Sequence, residues 1–207
     1  MNKFYQSKLL EAGVDEVARG CLFGRVYSAA VIWRTQEDLN NLLKLNNIQE
    51  EKLQDSKKLT REKRNYLKNY IEAFSLDYSV AWCEPNEIDL LNIREATFKS
   101  MHIALDNLKL KPELIVVDGN AFKEYKNINH ECLVKGDQKV TSISAASILA
   151  KVYHDNYIFD LCQGTPELNK YDLTSNMGYG SKNHLNAIKK YGITKFHRKT
   201  FGICKEF

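Results

Sequence analysis

The run Leu114-Ile115-Val116-Val117 constrains the fold of this chain more than any other stretch. Successive side chains of a strand point to opposite faces, so four consecutive large apolar residues make a strand that must be covered on both sides. Asp118 and Gly119 end the run at once. Further strands are predicted at about 13–17, 25–33 and 76–84; in the last, Leu76, Tyr78, Val80 and Trp82 recur at a period of two. Thr60 is placed to cap a helix reaching Phe74, with Tyr66, Leu67, Tyr70, Ile71 and Phe74 on one face. A second helical pattern runs from Asn86 to Leu108 with an interruption near Asn92. Ser142 or Ser144 opens a third, with Ile148, Leu149, Val152, Tyr153 and Phe159 inward, and Ser181 caps a last one that Gly192 ends. The succession predicts an α/β fold with a mixed central sheet flanked by helices, and a segment after Gly192 that wraps the surface.

Composition narrows the class. The 207 residues suit one domain, and 43% hydrophobic with 27% charged residues exclude a disordered chain. Apolar runs such as Val26 to Trp33 are too short to cross a bilayer, and the N-terminal MNKFYQSKLLEAG lacks the apolar stretch of a secretory signal, so a cytoplasmic, intracellular protein without a membrane is expected. Five scattered cysteines, none in a C-x-x-C pair, suggest neither a disulfide framework nor structural zinc. The net charge is +4, and Lys182, Lys189, Lys190, Lys195, Arg198, Lys199 and Lys205 crowd the C-terminal stretch against Glu206 alone. That field can steer a polyanion; it can equally be a solvated lysine face.

Four carboxylates sit where strands end. Asp15 and Glu16 close the first strand, Asp118 follows LIVV, and Asp137 lies in KGDQK ahead of the third helix. Ligand sites of open α/β sheets gather beyond strand ends. Taken singly, Asp118-Gly119 also suits a turn and Asp137 a loop. If the four converge, an all-oxygen set without His or Cys favours Mg²⁺ or Mn²⁺. Adjacent strand residues point to opposite faces, so Asp15 and Glu16 share a site only if the strand ends or kinks before the Ala18-Arg19-Gly20 turn; Asp15 is then the deeper, bridging ligand and Glu16 the rim ligand.

The blocks GVDEVARGCLFGRV, DSKKLT, NIREAT, LIVVDGN, VKGDQKV, SAASILAKVYHD and GYGSKNHLNAIKKYGITKFHRKTF run in order over nearly the whole chain. Together they resemble the signature blocks of type 2 ribonuclease H, the ribonuclease HII family. The resemblance implies a ribonuclease H-like fold over residues 1–207, with a helical C-terminal extension from about 160 to 207 that helps bind substrate. It implies a monomeric endoribonuclease that hydrolyses the RNA strand of RNA–DNA hybrids and incises 5′ of ribonucleotides embedded in duplex DNA, leaving 3′-hydroxyl and 5′-phosphate ends. Its catalytic and metal-ligating acids fall on Asp15, Glu16, Asp118 and Asp137, holding two divalent ions, Mg²⁺ or Mn²⁺. Its 2′-hydroxyl-reading turn and ribose-packing tyrosine fall on Ala18, Arg19, Gly20 and Tyr179; Ser56, Lys57, Lys58 and Lys182 become phosphate contacts.

Two positions depart from that pattern. Ala18 replaces a glycine, so the turn either uses negative φ there or displaces the sensor slightly, which predicts weaker incision at isolated ribonucleotides. Arg25 stands where the family commonly has proline. His197 and Arg198 are divided between contact with the nucleic-acid backbone and packing of the tail. Two alternatives are a non-catalytic nucleic-acid-binding protein on the same fold, which retention of all four acids disfavours, and a nuclease of the same superfold with another specificity, which the Arg19-Gly20 turn with Tyr179 disfavours.

Overall fold

The computed structural model describes residues 5, 8–53, 56 and 59–207. Its centre is a five-stranded sheet in the order β3-β2-β1-β4-β5, formed by β1 (Glu11–Val17), β2 (Val26–Ile32), β3 (Asp77–Cys83), β4 (Leu114–Asp118) and β5 (Asn129–Leu133). β1 pairs antiparallel with β2, Val14 facing Ala30, and parallel with β4, Val14 facing Val117. Every residue from Leu114 to Val117 is buried, as a strand covered on both faces requires.

The two coverings are helical. On one face lies α5 (Thr141–Gly164), backed by α2 (Arg61–Phe74), in a core that includes Val31, Trp33, Leu67, Ile71, Ile148 and Leu149. On the other lies α4 (Ile93–Asp106), whose Phe98, Met101 and Leu105 meet Val14, Ile32 and Val117. The first turn of α5 rests directly on β1: a Cβ on Gly13 would lie 2.3 Å from the Ser142 carbonyl carbon and 2.4 Å from the Ile143 nitrogen. Only glycine permits that approach.

Several boundaries differ from the sequence reading for local reasons. The 86–108 pattern breaks at Asn92, which adopts φ 71° and caps α4 by accepting hydrogen bonds from Arg94 N and Glu95 N; the preceding turns are a separate helix, α3 (Pro85–Leu91). α5 begins at Thr141, so Ser142 and Ser144 lie buried inside it rather than capping it. Tyr153 and Phe159 are only half-buried, and Ile158 takes the fully buried place. Tyr66 is exposed at the edge of the α2 stripe, where the Lys63 ammonium sits 4.6 Å from its ring. Two elements have no sequence signal strong enough to predict: α1 (Gln36–Leu45), with only Leu39 and Leu43 buried, and the edge strand β5, no residue of which is fully buried.

Beyond α5 a short helix α6 (Leu173–Asn176) and α7 (Lys182–Tyr191) build their own apolar cluster from Ile158, Leu168, Tyr171 and Ile188 around Leu22 and Phe23 of the loop after β1. Ser181 caps α7 by accepting from His184 N, and Gly192 ends it at φ 75°. The segment after Gly192 does more than wrap the surface, because His197 and Arg198 are fully buried in it. All five cysteines are free thiols. No helix among the described residues is long and apolar enough to cross a membrane.

Candidate active site

The acids are carried by the ends of the two central parallel strands. β1 continues as regular strand through Val17, without a kink after Glu16, so Asp15 and Glu16 do point to opposite faces. Asp15 turns toward α5, where it is hydrogen-bonded with Ser147. Glu16 turns toward α4 and lines a cavity of about 230 Å³ with Arg19, Arg94, Thr97, Asp118 and Asn120. One step beyond the last paired residues, Val14 and Val117, Asp15 and Asp118 come abreast. Asp118 thus adjoins both acids of β1, and the expected kink is absent.

Electrostatics bind these groups into one unit. Burial, then repulsion from Glu16 and Asp118, holds the Asp15 carboxyl well above the usual carboxylate range. Burial also raises Glu16, although the Arg19 guanidinium, 3.2 Å from its Oε1, opposes the shift and Asp118 adds to it. The Glu16 amide donates to Asp15 Oδ1 at 2.7 Å. Asp118 Oδ1 accepts from Gly136 N at 2.6 Å, which ties it to the 3-10 turn Gly136–Gln138 that carries the buried Asp137. Among the described residues no three His, Cys, Asp or Glu side chains close on a single ion position. An oxygen-only donor set of this charge suits a hard divalent cation.

The turn after β1 faces the C-terminal cluster. Arg19 and Gly20 are exposed, and the Tyr179 ring lies 4.0 Å from the place a Cβ on Gly20 would take. Tyr179 is 40% exposed, so one side of its ring is open to solvent. Its phenol is raised by burial first, and it is hydrogen-bonded with the Cys21 thiol and the Ala18 backbone. Ala18 adopts φ 69°, so the turn takes the left-handed conformation a glycine would use; neither negative φ nor a displaced turn is needed to accommodate the alanine.

The remaining predicted residues are dispersed. Lys182 is exposed at the first position of α7. Ser56 is buried, its hydroxyl 3.0 Å from that of Ser147, so it faces the α5 side of Asp15 rather than solvent. Lys57 and Lys58 lie outside the described residues. Arg25 packs between Trp82 and Tyr157, 4.7 and 4.3 Å from their ring centres, and pairs with Glu84 at 2.7 Å. Sequence reasoning missed Ser147, Arg94 and Asn120. Ser147 is four residues before Lys151, which pairs with Asp155 at 2.7 Å as the i, i+4 spacing predicts, but an isolated serine inside a buried helix gives no signal of its own.

Comparison with known proteins shows the family. The family model described as ribonuclease HII matches residues 12–204. Ribonuclease HII of Christiangramia forsetii is 45% identical over 206 residues, covering 100% of this chain and 97% of the relative. That of Pelagibacter ubique is 47% identical over 190 residues, covering 92% and 94%. The crystal structure of ribonuclease H2 from Pyrococcus horikoshii OT3 has a TM-score of 0.73 at 26% identity and covers 95% of both chains. A Bst ribonuclease HIII solved in complex with Mn²⁺ shares the fold at TM-score 0.66 and 16% identity, over 95% of this chain and 68% of its own. With the ribonuclease H-like sheet and acids at the ends of its two central strands, the chain belongs to the ribonuclease HII family.

Proposed function

We propose that this type 2 ribonuclease H, acting as a monomer, hydrolyses the RNA strand of RNA–DNA hybrids and incises 5′ of ribonucleotides embedded in duplex DNA. The observation that carries the reading is the adjacency of two devices on one loop. Three mutually repelling acids, Asp15, Glu16 and Asp118, stand at one end of the turn, and the Arg19-Gly20 stretch facing Tyr179 stands at the other.

The acids serve charge. Asp15, Glu16, Asp118 and Asp137 would hold two divalent cations, Mg²⁺ or Mn²⁺. When bound, such ions supply activation of the attacking water and neutralise the leaving 3′-oxygen. Ser147 and the Glu16 amide orient the Asp15 carboxylate, and Gly136 N orients that of Asp118, so these two donors are held by the protein itself.

The turn serves recognition. RNA and DNA differ at the 2′-hydroxyl, so discrimination needs a group that touches the sugar. Exposed backbone at Arg19 and Gly20 offers hydrogen-bonding groups, and the open side of Tyr179 offers a surface for the ribose of the junction nucleotide. Lys182, at the N-terminus of α7, adds a cation where free helix amides favour a phosphate. Ser56 acts through Ser147 rather than on phosphate directly.

Incubation with a labelled duplex containing one ribonucleotide, with Mg²⁺, Mn²⁺ or EDTA, tests the reading. A single nick 5′ of the ribonucleotide, absent with EDTA, is expected. Cleavage of an all-DNA branched duplex with none of the hybrid would overturn it.

A further inference from the structure

The dipeptide His197-Arg198, in the segment after Gly192, is buried, polar and unused by the chemistry above. Arg198 has no exposed surface, yet its guanidinium spends its donors on main-chain carbonyls of one loop: Nε to Gly24 O at 2.9 Å, one terminal nitrogen to Arg19 O at 3.0 Å, the other to Arg25 O at 2.9 Å. Its backbone N–H donates to Leu22 O at 2.8 Å. The Arg198 head therefore grips both ends of the 19–25 loop. Such planar, divergent donation is particular to guanidinium; an ammonium cannot reproduce it.

His197 reaches the other half of the sugar-reading pair. Its Nδ1 lies 2.9 Å from Thr194 N, which can only donate, so Nδ1 accepts. His184 Nδ1 lies 2.9 Å from Tyr179 O, which can only accept, so that nitrogen carries a proton. The two Nε2 atoms are 3.2 Å apart, and His197 must then donate to His184. One proton arrangement satisfies the whole relay, with both rings neutral and opposite in tautomer: Thr194 N–H to His197, His197 to His184, His184 to the Tyr179 carbonyl. Phe23 packs edge-on against His197 with ring centres 5.0 Å apart and forms an antiparallel bridge with it, which joins the relay to the same loop.

We propose that His197 and Arg198 are positioning residues that together set the spacing between Tyr179 and the Ala18–Gly20 turn, and so the selectivity for a ribose at an RNA–DNA junction. This rests on the assignment of that pair as the sugar contact. Neither residue touches substrate; Arg198 fixes the Arg19 carbonyl directly, and His197 fixes the Tyr179 carbonyl through His184.

The test compares kcat/KM on a duplex with one ribonucleotide against kcat/KM on a uniform RNA–DNA hybrid, for wild type, His197→Phe, His197→Gln and Arg198→Lys. A uniform hybrid offers a ribose at every register, so loss of spacing weighs most on the single-ribonucleotide duplex. The ratio is expected to fall about tenfold in His197→Phe, the worth of one neutral hydrogen bond of roughly 1.4 kcal/mol, and by at least as much in Arg198→Lys, whose lost bonds come from a charged guanidinium; it should recover in part in His197→Gln, which keeps a donor toward His184. Nitrogen-15 spectra of the wild type should show His184 protonated at Nδ1 and His197 at Nε2. An unchanged ratio in folded variants, or the reverse tautomers in the wild type, would overturn the proposal, and the wild-type spectra decide it even where a variant does not fold. If the wild type fails to incise the single-ribonucleotide duplex, the sugar-contact reading itself has failed; if it incises and the ratio stays put, only the positioning role has.

Discussion

Replacing Gly13 by alanine probes the tightest contact behind the acids. The added Cβ would lie 2.3 Å from Ser142 C, 2.4 Å from Ile143 N and 2.6 Å from Ser142 Cβ, all of them in the first turn of α5. Two of these atoms are backbone, so no side-chain rotation relieves the clash. An ordinary contact begins near 3.4 Å, so α5 and β1 must separate by about 1 Å at this point. Overpacking of this kind costs typically 1–3 kcal/mol, and a backbone clash belongs at or above the upper end. For a chain of this size, about 3 kcal/mol lowers Tm by roughly 6–12 °C.

The same displacement has a catalytic consequence. Asp15 is two residues beyond Gly13, its partner Ser147 is on α5, and the turn holding Asp137 leads directly into α5. Separating helix from strand moves the acids relative to one another, and a 1 Å misplacement can cost about 100-fold in rate. Thermal unfolding and kcat below the transition should therefore both fall in Gly13→Ala. Gly164→Ala is the control: nothing lies within 4 Å of its added Cβ, so Tm and kcat should hold. Should Gly13→Ala unfold within 1 °C of the wild type and cut at the same rate, the claim that this contact sets the acid geometry is wrong.

Asp15→Asn removes the buried member of three mutually repelling acids while its amide oxygen can still accept from Glu16 N; scanning calorimetry without metal should show a gain of about 1 kcal/mol, added Mn²⁺ should raise Tm less than in wild type, and strand scission should disappear. Ala18→Gly relieves an alanine at φ 69° and should raise stability by about 1 kcal/mol. Because the turn already holds the left-handed conformation, incision at a single ribonucleotide should be the same in both forms; a faster glycine variant would restore the expectation drawn from sequence. Acid titration reads the buried imidazoles. Burial, then the neighbouring His184, pushes His197 down to about 3, and burial likewise lowers His184 and His154. The unfolded chain binds protons that the folded one refuses, so stability is complete above about pH 6.5 and declines toward pH 3, by up to about 1.4 kcal/mol per pH unit for His197 alone. Guanidinium unfolding at stepped pH should give a shallower slope in His197→Phe.

What the sequence discloses about the fold tracks how much each element buries. LIVV is buried on all sides and could be read from four letters, and the α2 stripe of Leu67, Tyr70, Ile71 and Phe74 was legible because a packed helix needs that spacing. α1 buries two side chains and β5 none completely, so selection for apolar residues there is weak and their patterns resemble loop. Tyr66 shows the converse error: an aromatic can continue a periodic pattern while its ring sits in solvent over a lysine.

The site divides along the same physical line. The acids are legible because a carboxylate at the end of a buried strand is costly and so conspicuous, and three of the four stand on or directly beside sheet backbone whose register is fixed by pairing. The pair proposed to read the sugar stands on loops, which have no register. Its geometry is supplied instead by buried polar groups that grip main-chain carbonyls, and such groups have no periodicity to betray them: Arg198 in a lysine-rich tail looks like one more surface cation until its burial is known. A guanidinium without solvent must have its donors satisfied, and here three of them satisfy a single loop. In the proposed reading, scaffold precision comes from the sheet for cutting and from a C-terminal clamp for recognition. Substitutions in the tail should accordingly alter which substrate is cut more than whether cutting occurs, whereas substitutions around β1 and α5 should do the reverse.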